Sequence, residues 1–172
     1  EVTVIAVRLP TCVGPAEGRN VGIRFTLPAT DIYSILDADD EFLPNKLEEC
    51  LKPFSNPAIG VVYANYYNIN EENGIRLLEV KPPYDITRLN QECIIHSGAL
   101  IKVEFLKQVE DSLGFYDRMM RTCEDWDLWI RLSKICIIHH IPLALTNVLV
   151  HNNNSTNSVD KSIWENNWNR IR

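Results

Sequence analysis

Apolar positions divide the chain into alternating extended and helical stretches. Val2 to Val7 is a β-branched run without a polar face, the pattern of a strand covered on both sides, as in parallel sheets. A turn-rich stretch from Pro10 to Gly18 follows. Beyond Arg19, Val21 and Phe25 fall four apart, as on one face of a helix that Pro28 stops. Asp31 to Leu36 reads as the next strand and runs directly into the acidic cluster Asp37-Ala38-Asp39-Asp40. Pro44 suits a first helical turn, and Leu47, Leu51 and Phe54 recur at helical spacing before Pro57. Ile59 to Tyr67 is a third strand, and Glu71-Glu72-Asn73-Gly74 is a hairpin turn, so a mixed sheet is expected. Cys93 to Val103 holds a further strand, Val103 to Val109 a short helix, and Leu113-Gly114-Phe115 comes next. Glu124 to Lys134 predicts an amphipathic helix with Trp126, Trp129, Ile130 and Ser133 on one face and Asp127 four residues from Arg131. Ile135 to Leu149 predicts one or two strands around Pro142. A polar loop from Asn152 to Ser158 then precedes a last helix carrying Trp164 and Trp168.

This alternation describes an open α/β sheet, whose ligands bind beyond the carboxyl ends of its strands, where Asp37 to Asp40 fall. A chain of 172 residues, 45% of them hydrophobic and 23% charged, is expected to form one soluble domain. A net charge of -6 and a pI near 5.2 exclude the basic surface that nucleic-acid binding requires. Five scattered cysteines without a Cys-x-x-Cys pair suggest neither a disulfide framework nor a zinc knuckle, and a reducing, cytoplasmic setting is expected. No run approaches the ~18 apolar residues of a membrane span, so any membrane association is expected to be peripheral. The chain starts inside an apparent strand, without Met or the features of a signal peptide, which suggests a piece of a longer protein.

Clustered carboxylates raise one another's pKa unless a cation neutralises them. Oxygen ligands point to Mg²⁺ or Mn²⁺, which keep several waters and bridge to phosphates. An Asp-x-Asp pair alone is more often a solvated loop or a helix cap; its place after an apolar strand and before a Pro-started helix strengthens the metal reading. Glu124-Asp125 alone would be ordinary compensation of a helix dipole, and Arg19-Asn20 a polar first turn. His96, His139 and His140 read as structural, and Trp126 and Trp129 as core. Two overlapping Asn-x-Ser/Thr triplets at Asn153 and Asn154 carry no meaning in a cytosolic protein.

Taken in order, several motifs resemble glycosyltransferase family 2. They are Arg19-Asn20-Val21-Gly22-Ile23, Tyr33-Ser34-Ile35-Leu36-Asp37-Ala38-Asp39-Asp40, Pro44-Asn45-Lys46-Leu47, Ser97-Gly98-Ala99-Leu100-Ile101, Gly114-Phe115-Tyr116-Asp117, Glu124-Asp125-Trp126-Asp127-Leu128-Trp129, and His151 before Ser155. The resemblance implies a GT-A fold with a mixed open sheet and an inverting transfer from a nucleotide-sugar donor, a UDP-sugar first among them, to a glycan, glycolipid or protein acceptor. It implies that Asp39, with Asp37 and His151, faces an Mg²⁺ or Mn²⁺ ion on the donor diphosphate. Arg19, Asn20 and Asp37 would lie at the donor, Asp125 would be the general base, and Glu124 would orient acceptor or sugar. Such proteins usually begin with strands that hold the nucleobase. Here the first run would be the third strand, so those earlier strands are expected to be missing.

Two other functions compete. A non-catalytic glycan- or nucleotide-binding remnant would keep the sheet, though the acidic motifs are intact. A metal-dependent nucleotidyltransferase would need a Gly-rich basic loop, of which Gly14-Pro15-Ala16-Glu17-Gly18-Arg19 is a poor version.

Overall fold

A computed structural model describes residues 3–152, 154 and 159–171, apart from the side chain of residue 28. Most of the predicted polar loop at 152–158, including Ser155 and all of the Asn-x-Ser/Thr triplets except Asn154, lies outside the described residues.

The spine is one long parallel pair. Strand β3 (Ile59–Asn70) runs beside β6 (Ile137–Val150), and Val61, Val62 and Tyr63 are fully buried where helices cover the sheet. Register shifts between Ala64 and Tyr67 carry the β6 ladder past Pro142, whose missing N–H interrupts pairing without ending the strand. Strand β5 (Leu100–Lys102) lies antiparallel against β3, and β1 (Ile32–Ser34) antiparallel against β5. Thus β1, β3 and β6 all point the same way. Strand β2 (Glu41–Phe42) closes the far side on β6, and β4 (Arg76–Glu79) returns on β3 through the predicted turn, where Gly74 takes a φ of 68° that favours glycine.

The Val2–Val7 run is the largest departure from expectation. Its described residues pair with no strand among the described residues, and Val4, Ile5 and Val7 are exposed. β-Branched residues form a strand where a neighbouring edge supplies ladder partners, and none of the described residues supplies one to this run.

Helix α1 (Gly14–Thr26) starts five residues earlier than its Arg19 start in the sequence reading, with Pro15 in the first turn, where a missing N–H costs nothing. Its inward face is Ala16, Asn20 and Ile23, while Phe25 is exposed. Helix α2 (Lys46–Leu51) is likewise rotated by one residue: Lys46 and Cys50 are buried, and Leu47 and Leu51 are exposed. The small Cys50 sits fully buried beside Val62, Ala64 and Leu145, and the Lys46 ammonium donates to Thr146 Oγ1 at 3.2 Å and lies over the Phe42 ring. The short helices α3 (Ile86–Leu89) and α4 (Val103–Gln108) lead to α5 (Glu124–Ser133). The expected i,i+4 pair forms, with Arg131 Nε donating to Asp127 at 2.9 Å, and Asp127 is fully buried, so the polar face of this amphipathic helix is covered as well. Arg131 also donates to the carbonyls of Val109 and Phe115. Helix α6 (Lys161–Trp168) is held by Asn167, which donates to Thr122 at 2.9 Å, and by the adjoining Arg170, which donates to Asp117 at 2.9 Å. No helix among the described residues is long and apolar enough to cross a membrane.

Asn20 fixes where α1 docks. Its amide donates to the Tyr116 carbonyl and accepts from the Tyr116 N–H, both at 2.8 Å and both buried. Gly114 makes room: a Cβ there would meet Asn20 Nδ2 at 2.5 Å, and its φ of 106° already disfavours a side chain. Asn20→Ala strands both polar groups of Tyr116 in a buried setting. It is expected to lower stability by about 2–4 kcal/mol, read as a lower urea midpoint at unchanged slope.

Candidate active site

The carboxyl ends of β1 and β6 and the second half of β3 open onto a cleft of about 810 Å³. From the β1 side come Asp37, Asp39 and Asp40; from the start of α5 come Glu124 and Asp125; from α1 comes Arg19. The two acidic motifs, far apart in sequence, thus share one cavity.

Arg19 joins them. One guanidinium nitrogen donates to Asp37 at 3.1 Å, the other to Glu124, and the group lies 5.6 Å from the centre of the Tyr116 ring. Burial works against the Arg19 charge, but attraction from Glu124, Tyr116, Asp37 and Asp125 outweighs it and raises its pKa. Burial, reinforced by Asp125, pushes Glu124 up to about 7, with Arg19 opposing. Burial also raises the Asp125 pKa, while Arg19 and the Trp126 N–H, which donates to Asp125 at 2.7 Å, favour its ionised form. Cys123, directly before this pair, holds a left-handed conformation with φ of 61°, a strained geometry for a residue with a Cβ.

At the other end, His151 Nε2 lies 3.0 Å from Asp39 Oδ2, and Asn154 donates to the same oxygen at 3.2 Å. Asp40 accepts from the Leu149 N–H at 3.2 Å, and burial, followed by repulsion from Asp37 and Asp39, pushes it up to about 6. Among the described residues no group of three potential ligands is assembled for a metal. The Asp39–His151 separation nevertheless suits two adjacent corners of an octahedron with bonds of about 2.1 Å, which stand about 3 Å apart. Mg²⁺ and Mn²⁺ are commonly held this way, by few protein groups plus phosphate and water.

Of the residues singled out from sequence, Arg19, Asp37, Asp39, Glu124 and Asp125 line the cleft, and His151 reaches it through Asp39. Asn20 does not: it is fully buried in its Tyr116 clamp, so the expectation that it touches a donor is corrected. His140 and His139 stay outside, His140 bonded to Asn65 at 2.9 Å. The sequence reading missed Lys81, Arg121, Asn154 and Trp164, and it set His96 aside as structural, although all five line the cleft. For Asn154 the signal was its place just after His151; the others had none, because loops bring in Lys81, His96 and Arg121 and the last helix brings in Trp164.

Residues 2–109 match the family described as Glycosyl transferase family 2. The uncharacterized glycosyltransferase MJ1057 of Methanocaldococcus jannaschii is 32% identical over 135 residues, covering 74% of this chain and 44% of that protein. The uncharacterized glycosyltransferase YwdF of Bacillus subtilis is 21% identical over 145 residues, covering 84% and 53%. The chain therefore spans about half the length of these curated relatives. Among solved structures, S. aureus TarS 1-349 aligns with a TM-score of 0.63 at 15% identity, over 82% of this chain and 42% of that one. Its complex with UDP-GlcNAc gives 0.64 at 13%, over 88% and 44%. That likeness establishes a GT-A-like fold for the mixed open sheet. With its family match covering more than half of its length, the chain belongs to glycosyl transferase family 2.

Proposed function

We propose that this chain forms the metal- and acceptor-facing part of an inverting glycosyltransferase, which moves a sugar from a nucleoside diphosphate to an acceptor hydroxyl on a glycan, glycolipid or protein. The observation that carries the reading is the convergence of Asp37, Asp39 and Asp40 with Glu124 and Asp125 on one cleft. A UDP-sugar is the donor we propose, because the TarS fold occurs with UDP and with UDP-GlcNAc bound.

Asp125 is the general base. Partial burial makes its carboxylate more basic than usual, while Arg19 and the Trp126 N–H keep the ionised form accessible. It takes the proton of the acceptor hydroxyl as that oxygen bonds to the anomeric carbon. The bond to the diphosphate oxygen breaks on the opposite face, and the diphosphate leaves with the electron pair, so one displacement inverts the centre. Glu124, held by Arg19 and retaining its proton to about pH 7, orients the acceptor or the sugar. Asp39 and His151 would hold an Mg²⁺ or Mn²⁺ ion, and Asp37 is committed to Arg19. Such an ion, when bound, offsets the charge that develops on the leaving diphosphate.

Asp125→Asn is expected to cut transfer about 10²–10⁴-fold while UDP binding stays near wild type, whereas Asp39→Ala weakens Mn²⁺-dependent UDP binding itself. Calorimetry beside a transfer assay separates the two, and equal loss of UDP binding in both variants refutes this division of roles. Glu124 also makes a stability prediction. Its pKa rises from the usual 4.5 to about 7 in the fold, so its contribution is fully present below pH 4.5 and is lost as pH rises through about 7. Glu124→Gln should flatten that decline in melting temperature, and an unchanged slope would show that another group causes it.

A further inference from the structure

The segment Cys93 to Ser97 shares the cleft with the two acidic motifs, and Cys93, Ile95, His96 and Ser97 line the cavity. Its first residue lies within electrostatic reach of Asp125, and His96 within reach of Arg19, Lys46 and Lys81. In a single displacement the anomeric carbon must sit between the base and the departing diphosphate. A sugar so placed shares the cavity with this segment.

His96 is held for one task. Its Nδ1 accepts the Gly98 N–H at 3.1 Å, so in the neutral ring the proton resides on Nε2. Its ring packs against Tyr66 with centroids 4.5 Å apart, and a Cβ on Gly98 would press on Nδ1 at 3.2 Å. Burial, then the charges of Lys46, Lys81 and Arg19, pushes its pKa down to about 3, so the ring stays uncharged at neutral pH. No described residue accepts from Nε2, and the half-buried ring lines the cleft. A fixed, neutral N–H suits an uncharged oxygen. A diphosphate is better served by the cleft's other cations, Lys81 and Arg121.

Resting on the transferase reading above, we propose that His96 is a specificity-determining residue whose Nε2–H donates a hydrogen bond to a hydroxyl or acetamido oxygen of the transferred sugar.

The test uses the native polypeptide with Mn²⁺. UDP is titrated calorimetrically beside the tightest-bound of UDP-glucose, UDP-galactose and their N-acetylamino forms. His96→Phe keeps the ring against Tyr66 but removes the donor. It should weaken the UDP-sugar about tenfold and leave UDP unchanged. His96→Gln, whose amide can donate from near the Nε2 position, should retain most of the affinity, and matching melting temperatures exclude misfolding as the cause. Equal weakening of UDP and UDP-sugar by His96→Phe, or no weakening of either, overturns the inference. Failure of the full-length wild-type protein to bind any nucleotide is a different result and overturns the transferase reading itself.

Discussion

Five carboxylates gathered on one cleft would repel one another, and a single buried guanidinium from another element holds the two groups together. The Arg19 side chain is only 14% exposed and reaches Asp37 on one side and Glu124 on the other. Such an arrangement is stable only as a whole. Withdrawing the cation would leave the buried Glu124 carboxyl uncompensated, which costs more than an exposed ion pair contributes, whereas the more exposed Asp37 stays hydrated. The position of α1 is therefore the constraint on which the cleft depends, and Asn20 sets it through two bonds to the Tyr116 backbone, in space that Gly114 leaves open. Neighbouring residues of one helix thus divide the work, Asn20 docking the helix and Arg19 gathering the acids.

A second constraint lies at the start of α5. Cys123 is strained, and strain of about 1–3 kcal/mol persists only where the surroundings overdetermine it. Here they do. Asp127 N–H bonds back to the Cys123 carbonyl, the buried Asp127 carboxylate is held by Arg131, and Arg131 ties the helix to Val109 and Phe115. Thr122 is fixed in turn by Asn167 from α6. The strained residue directly precedes Glu124 and Asp125, so these ties set the direction in which both carboxylates enter the cleft.

The cleft also separates two kinds of polar group. Arg19, Lys81, Arg121 and the acids present charge, whereas His96 is kept neutral by dehydration and by nearby cations. In the proposed reaction the charged groups deal with the diphosphate and the migrating proton, and a neutral donor can distinguish one uncharged sugar from another. Discrimination by a buried hydrogen-bond donor is strong because a sugar lacking its oxygen leaves that donor unpaired.

By itself, the sequence determined what local chemistry controls. The strand that leads toward Asp37, shorter at Ile32–Ser34 than the expected Asp31 to Leu36, the Asn73-Gly74 hairpin, the helix from Glu124 and its Asp127–Arg131 pair were all legible, because periodicity, turn residues and i,i+4 spacing act over a few residues. The ordered acidic motifs pointed to one site, and the fold places them on one cleft. Tertiary structure alone decided which helix face turns inward. At α1 and α2 the hydrophobic spacing suggested Val21, Phe25, Leu47 and Leu51, whereas the fold buries Asn20, Lys46 and Cys50. There a specific polar partner or a narrow gap against the sheet outweighs the transfer energy of one exposed side chain. It likewise left the described part of the Val2–Val7 run without a strand partner among the described residues, moved Asn20 out of the cleft and brought His96, Lys81 and Asn154 into it. A residue's distance from a partner a hundred positions away depends on how every intervening element packs, and no local pattern encodes that.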